Sequence, residues 1–155
     1  MSIIDPYLRN IDKIETALIR VATRLVVENG DVIIGLLQNN QLSKGLNYKQ
    51  NIVGRYKPKT MDYLNDPHTK PRTDKSVGQP YNFEWYGEMF DSMILKANTN
   101  SKEFEIFSST GKIKMLEGIY NTKLGTLSAQ NNYTVNMEII YPGLIDYILQ
   151  ELPRI

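Results

Sequence analysis

Residues 93–106, MILKANTNSKEFEI, predict a β-hairpin. Apolar side chains take every second position in the two outer parts of this stretch, and the polar residues 98–101 between them are typical of a turn. Lys96 on the first strand can face Glu103 or Glu105 on the second. Because an exposed pair of this kind adds only about 0.2–1 kcal/mol, we expect the charges to define the strand register more than the stability.

Helical patterns precede the hairpin. Apolar residues recur at helical spacing through residues 8–26, which predicts an amphipathic helix that begins near Asp5-Pro6. Asn29-Gly30 is a typical helix end, and the apolar residues 32–37 predict a second, shorter helix. We expect both helices to pack into the core, with docking of a helix on a partner as the alternative.

Further helices are predicted after the hairpin. Residues 113–120 form a short helical pattern that ends near Asn121, and Ser128 can cap the helix that follows. Pro142-Gly143 interrupts the next apolar pattern, so a C-terminal helix is expected to begin at Pro142. The fold class predicted is α+β: two N-terminal helices, a long irregular loop, a small antiparallel β-sheet with a hairpin, and a C-terminal helix.

The long loop spans residues 39–82 and contains four prolines and three glycines. Prolines bias the residues before them away from helix, so no long regular element is expected here. Loops longer than about 12–15 residues are uncommon in compact domains unless they bind something or are partly disordered. We therefore interpret this segment as an interface loop that becomes fully ordered against a neighbour. An aromatic cluster is expected to attach it to the core, formed by Phe83, Trp85, Tyr86 and Phe90.

Length and composition indicate one domain, residues 1–155, with a helical base (1–38), the extended interface loop (39–82), and the hairpin sheet with the C-terminal helix (83–155). The chain is 41% hydrophobic and 23% charged, with a net charge of +1 and no cysteine, which excludes disulfides and thiolate zinc sites. No apolar run reaches the roughly 18–20 residues of a membrane span, and the charged N-terminus does not resemble a secretory signal. We expect no contact with a membrane.

Residues typical of catalysis are sparse. His68 is the single histidine, and with Asp62 and Asp66 it forms the best candidate metal site, although their spacing matches no common metal motif. Glu103 and Glu105 lie about 7 Å apart on one strand face, which suits a two-acid site but is equally typical of a solvated sheet. The sequence therefore predicts no enzyme, with no catalytic, cofactor-binding or metal-binding residue assigned and no cofactor expected.

Basic residues are the main charged feature of the long loop, and tyrosines are interspersed among them. They are Lys44, Lys49, Arg55, Lys57, Lys59, Lys70, Arg72 and Lys75. Cations contact phosphates and aromatic rings stack on unpaired bases, so this mixture can bind nucleic acid. The same residues can contact a negatively charged protein surface or remain solvated. The residues alone leave these three interpretations open.

Short motifs follow one another in a defined order over nearly the whole chain. They are Gln41-Leu42-x-x-Gly45, Tyr56-x-Pro58-Lys59-Thr60, Gly78-x-Pro80, Gly87-x-x-Phe90-x-Ser92 and Leu124-Gly125-x-Leu127-Ser128. With the two preceding helices and the hairpin, this order resembles the tail-completion or neck proteins of tailed bacteriophages, which take part in head-tail joining and virion morphogenesis. Tyr86 stands where threonine is usual in that family, and Thr126 is an additional residue within the last motif.

The resemblance implies a structural virion protein that forms a homo-oligomeric ring at the head-tail junction or tail end. Its long loop would reach a neighbouring subunit or other neck, portal-proximal or tail proteins, with non-specific contact to DNA passing through the ring. Loops that carry Tyr and Arg suit such interfaces. The implied location is the virion, assembled in the host cytoplasm.

A second hypothesis is a nucleic-acid-binding or metal-dependent nuclease module that uses the basic, tyrosine-rich loop. It predicts salt-sensitive DNA binding or metal-dependent cleavage. The virion hypothesis instead predicts loss of assembly when Arg55 or Tyr56 is changed.

Overall fold

In the computed structural model, helices flank one β-hairpin. The structure describes residues 5–64, 74–84 and 87–151, and for 5–9 and 63–64 it describes the backbone alone. The predicted α+β class is confirmed. The elements before the hairpin are α1 (Asp5–Glu28), α2 (Gly30–Asn40), a 3₁₀ turn (Leu42–Lys44), α3 (Pro58–Leu64) and α4 (Glu88–Asp91). The remaining ones are β1 (Met93–Asn98), β2 (Glu103–Ser108), α5 (Lys112–Tyr120), α6 (Ala129–Val135), a π-helical turn (Asn136–Ile140) and α7 (Tyr141–Gln150). None of the helices within these residues is long and apolar enough to cross a membrane.

The two N-terminal helices form where the apolar periodicity predicts them. The Asn29 side chain donates a 2.8 Å hydrogen bond to the Leu25 carbonyl at the end of α1, and α2 begins at the next residue. On α2, Ile33 and Leu37 lie four residues apart and are completely buried, so this helix belongs to the core. Full burial of one such side chain contributes roughly 1.5–3 kcal/mol.

The hairpin has the predicted strands and one of the two predicted registers. Lys96 lies directly opposite Glu105, and its ammonium group is 4.9 Å from the centre of the Phe107 ring. The alternation buries Met93 and Ile106 on the face that packs against the helices. The core therefore lies where α1, α2, the hairpin and α5 meet.

The C-terminal segment is one helical rod with a π-helical turn, where the sequence predicted an interruption at Pro142-Gly143. α7 begins at Tyr141, one residue before the predicted start. The Tyr141 amide donates to the Asn136 carbonyl five residues earlier. Because Pro142 has no N–H and its ring would clash with the carbonyl four residues before it, the wider turn lets the chain continue as helix. Gly143 then gives room for the Leu25 side chain of α1.

Ser128 caps α6 as predicted, since its hydroxyl accepts the Asn131 amide at 3.3 Å. Ser128→Ala should lower the free energy of unfolding by about 1 kcal/mol, because it leaves this amide without its partner. Urea unfolding followed by circular dichroism measures the difference. Ser109→Ala is the control: Ser109 is exposed and should change stability by less than about 0.5 kcal/mol. Equal stability of the two variants would contradict the role of the cap.

Candidate functional site

The long loop begins with a compact turn that is bonded to the rest of the domain. We call residues 45–83 the arm; 45–64 and 74–83 are described. The Asn47 carboxamide oxygen accepts the amides of Lys49 and Asn51, and its nitrogen donates to the Thr122 hydroxyl at 3.1 Å. Asn47 therefore shapes the turn and connects it to the loop after α5. The Gly45 carbonyl accepts the Val53 amide at 2.8 Å and closes the turn.

Two limbs of the arm then pair through backbone hydrogen bonds. The Tyr56 amide donates to Gln79, the Gly78 amide to Tyr56 and the Tyr81 amide to Gly54, each at 2.9 Å. These bonds surround an isolated antiparallel bridge between Arg55 and Pro80. The described limbs are thus ordered within one chain, and the segment also contains the seven-residue helix α3.

An aromatic cluster attaches the paired limbs to the core. The Tyr81 ring lies 5.0 Å from Tyr56, 6.3 Å from Phe83 and 5.4 Å from Tyr120 between ring centres. These four rings, with Thr60 and Leu116, line a cavity of about 220 Å³. Edge-to-face pairs of this kind contribute about 0.5–1.5 kcal/mol beyond burial.

The composition of this cluster differs from the prediction. Phe83 belongs to it, whereas Phe90 packs against the main core. Trp85 and Tyr86 lie outside the described residues. The sequence pattern missed Tyr120, because it lies on α5, far from the arm along the chain.

Among the described basic residues of the arm, Lys75 is the one that turns inward. Its ammonium group donates to the Asn82 carboxamide oxygen and lies 5.4 Å from the centre of the Tyr56 ring. Burial lowers the pKa of Lys75, and the charge of Glu84 opposes this shift. Burial also raises the pKa of Tyr56, and its hydroxyl donates to the Asn82 carboxamide oxygen at 3.1 Å. Lys75 and Tyr56 thus hold the limbs together.

Four other basic side chains of the described limbs are solvent-exposed: Lys49, Arg55, Lys57 and Lys59. Lys44, which directly precedes the arm, is exposed as well. Lys70 and Arg72 lie outside the described residues. Arg55 also supports the arm, because its guanidinium donates to the Gly78 carbonyl at 2.7 Å. The arm therefore presents cations from a backbone that is already ordered.

Candidate catalytic groups are placed as follows. Asp62 is exposed, and Asp66 and His68 lie outside the described residues. Within the described part of the chain, no three His, Cys, Asp or Glu side chains come close enough to hold a metal ion. Glu103 and Glu105 are exposed on one face of β2. This face has the alternation of a solvated hairpin.

The first and last of the short sequence motifs are in contact inside the domain. The buried Gln41 side chain donates to the Thr126 carbonyl at 2.9 Å and accepts the Ser128 amide at 3.0 Å, so the first motif is bonded to the last. The Ser92 hydroxyl lies 2.7 Å from that of Ser108 on β2. Comparison of the chain with protein-family models, curated proteins and solved structures gives no match.

Proposed function

We propose that this chain is a structural virion protein of a tailed bacteriophage, a subunit of a ring at the head-tail junction or tail end. The observation that carries the proposal is the pair of described limbs of the arm: internal hydrogen bonds order their backbone, while Lys49, Lys57 and Lys59 remain exposed. An arm ordered in advance loses little conformational entropy on docking, which favours protein contacts. The order of the motifs along the chain supports the same function.

Incorporation into particles tests this proposal directly. Virions from the phage that encodes the chain would be purified, probed with an antibody against it and imaged by electron microscopy. We expect label at the neck or the tail end and a constant copy number per particle by mass spectrometry. Absence from purified particles, together with salt-sensitive DNA binding by the isolated chain, would contradict the proposal and favour a nucleic-acid-binding module.

The exposed arm lysines are better probes of docking than Arg55 or Tyr56. Tyr56 is buried and Arg55 bonds to Gly78, so changing either also perturbs the arm itself. Lys57→Glu/Lys59→Glu should reduce incorporation at least about tenfold, because it reverses the charge that the arm presents to its partner. The thermal unfolding midpoint should stay near that of the unchanged chain, because exposed charges contribute little to stability. Complementation of a virus that lacks the gene measures incorporation.

The matched control reverses two lysines outside the arm, Lys114→Glu/Lys123→Glu. Both are exposed, and the total charge change is the same. Equal loss of incorporation with both double variants would show that net charge matters and the arm does not.

A further inference from the structure

An exposed apolar stripe runs along the C-terminal rod. Its side chains occur every fourth residue: Tyr133, Met137, Tyr141, Ile145 and Leu149. A four-residue step drifts by only about 40° around a helix, so consecutive members lie next to one another and form a stripe that winds slowly around the rod. Ile148 widens the stripe near its end. The exposed fractions range from 44% for Met137 to 71% for Leu149, so none of the five is part of the core. Contiguous apolar patches of this kind mark interaction sites.

Negative charge accompanies the stripe. Residues 129–151 contain three acidic residues, Glu138, Asp146 and Glu151, and neither lysine nor arginine. All three are exposed. Glu138 and Asp146 each follow a stripe residue by one position, and since a helix turns about 100° per residue they lie along the same edge of the stripe. The face is therefore apolar with an acidic border.

The arm has the opposite charge and its own exposed apolar groups. The described limbs, residues 45–64 and 74–83, contain five Lys or Arg against two Asp, and four of these cations are exposed: Lys49, Arg55, Lys57 and Lys59. Ile52 and Val77 are 45% and 55% exposed on the described limbs. The net charge of +1 thus conceals two segments of opposite charge on one chain. Copies of a nearly neutral chain do not repel one another as wholes, while the two segments attract.

We infer that the stripe and its acidic border bind the described limbs of the arm, residues 45–64 and 74–83, of a second copy of this chain. The two surfaces differ, so the contact is head-to-tail, and a contact of this type forms a ring when its rotation closes. The apolar side chains supply the buried area, and the charges define the partner and the register. The inference rests on the proposed ring and identifies the two surfaces that would join neighbouring subunits.

Paired charge reversals test this contact. One variant carries Lys57→Glu/Lys59→Glu, which makes this part of the arm acidic like the border of the stripe. The other carries Glu138→Lys/Asp146→Lys, which makes the border of the stripe basic like the arm. Sedimentation velocity should show that the unchanged chain associates in the micromolar range. Each variant alone should associate at least about tenfold more weakly, and an equimolar mixture should recover association, since each acidic surface again meets a basic one.

The absence of cysteine allows a second measurement of the same contact. Lys59→Cys and Asp146→Cys each introduce a single thiol. A short bismaleimide should join the two proteins only when they are mixed, and a chain with both changes should give a ladder of oligomers. Leu149→Asp, which places a charge on the stripe, should suppress this ladder, with circular dichroism showing that the helices remain.

Defined results overturn the inference. The first is that the unchanged chain stays monomeric throughout the micromolar range. The second is that the reversal variants associate normally, or that their mixture fails to recover association. The third is that Asp146→Cys cross-links to itself, which would show helix-to-helix pairing. If the protein is nevertheless present at the neck or the tail end of virions, the proposed function holds and this contact is wrong. If the mixture recovers but particles lack the chain, the contact holds and the virion function is wrong.

Discussion

Gly45→Ala is expected to lower the free energy of unfolding by about 2–5 kcal/mol and to loosen the arm. Gly45 has a φ of +71°, a left-handed conformation that disfavours residues with a Cβ atom. An added Cβ would also lie inside van der Waals contact of the Tyr81 carbonyl oxygen and 2.8 Å from Pro80 Cβ. Because the first of these is a backbone atom, the limbs must separate to relieve the overlap. Urea unfolding measures the loss of stability.

Gly111→Ala is the matched control. Gly111 has a φ of +72°, nearly that of Gly45, but a Cβ there would meet nothing within 4 Å. It should therefore show the backbone penalty alone, about 1–2 kcal/mol. Amide hydrogen exchange at Val53 and Tyr81 should accelerate in Gly45→Ala and stay unchanged in Gly111→Ala. Equal destabilisation by the two substitutions, with no change in exchange, would show that the close approach of the limbs has no energetic role.

Local patterns in the sequence predict the regular elements well. The two hairpin strands follow from alternation, and the observed pairing of Lys96 with Glu105 is one of the two registers that the charges allow. Apolar spacing defines α1 and α2, and Asn29-Gly30 marks the boundary between them. Each signal acts between residues close in the chain, so it is readable without the tertiary structure.

Long-range contacts are what the sequence does not reveal. Tyr120 joins the arm cluster although 39 positions separate it from Tyr81. The π-helical turn before Pro142 depends on a shift of hydrogen bonds that apolar periodicity does not encode. The turn formers of the arm indicate where the chain bends, but the pairing of its limbs depends on Tyr56 and Tyr81 meeting in space. These features arise from packing between distant segments.

The overall charge also hides the surfaces of interest. A net charge of +1 argues against a dedicated DNA-binding protein, yet the arm is basic and residues 129–151 are acidic. Apolar periodicity identifies the C-terminal helix but does not show that one of its apolar faces stays uncovered. That Ile145 and Leu149 are exposed while Val135 is buried becomes visible only when the rod is placed against the domain.

Gln41→Leu should lower the free energy of unfolding by roughly 2–4 kcal/mol, because it leaves the buried Ser128 amide unsatisfied, at a cost of about 1–3 kcal/mol, and also removes the hydrogen bond to the Thr126 carbonyl, which is worth about 0.5–1.5 kcal/mol. The Gln41 side chain is completely buried, donates to the Thr126 carbonyl and accepts the Ser128 amide. Leucine has a similar volume, so the substitution removes both hydrogen bonds without a large cavity. Urea unfolding followed by circular dichroism measures the change.

Gln130→Leu makes the same chemical change at an exposed position on the first turn of α6 and should alter stability by less than about 0.5 kcal/mol. Hydrogen exchange adds a local measurement: the Ser128 amide should exchange faster in Gln41→Leu, whereas the Asn132 amide, which bonds to the Ser128 carbonyl, should change only with global stability. If Gln41→Leu lowers the free energy of unfolding by less than about 1 kcal/mol, or leaves the exchange rate of the Ser128 amide unchanged, then water or a shifted backbone replaces the Gln41 hydrogen bonds. In that case the first and last motifs would be neighbours in the fold without depending on each other energetically.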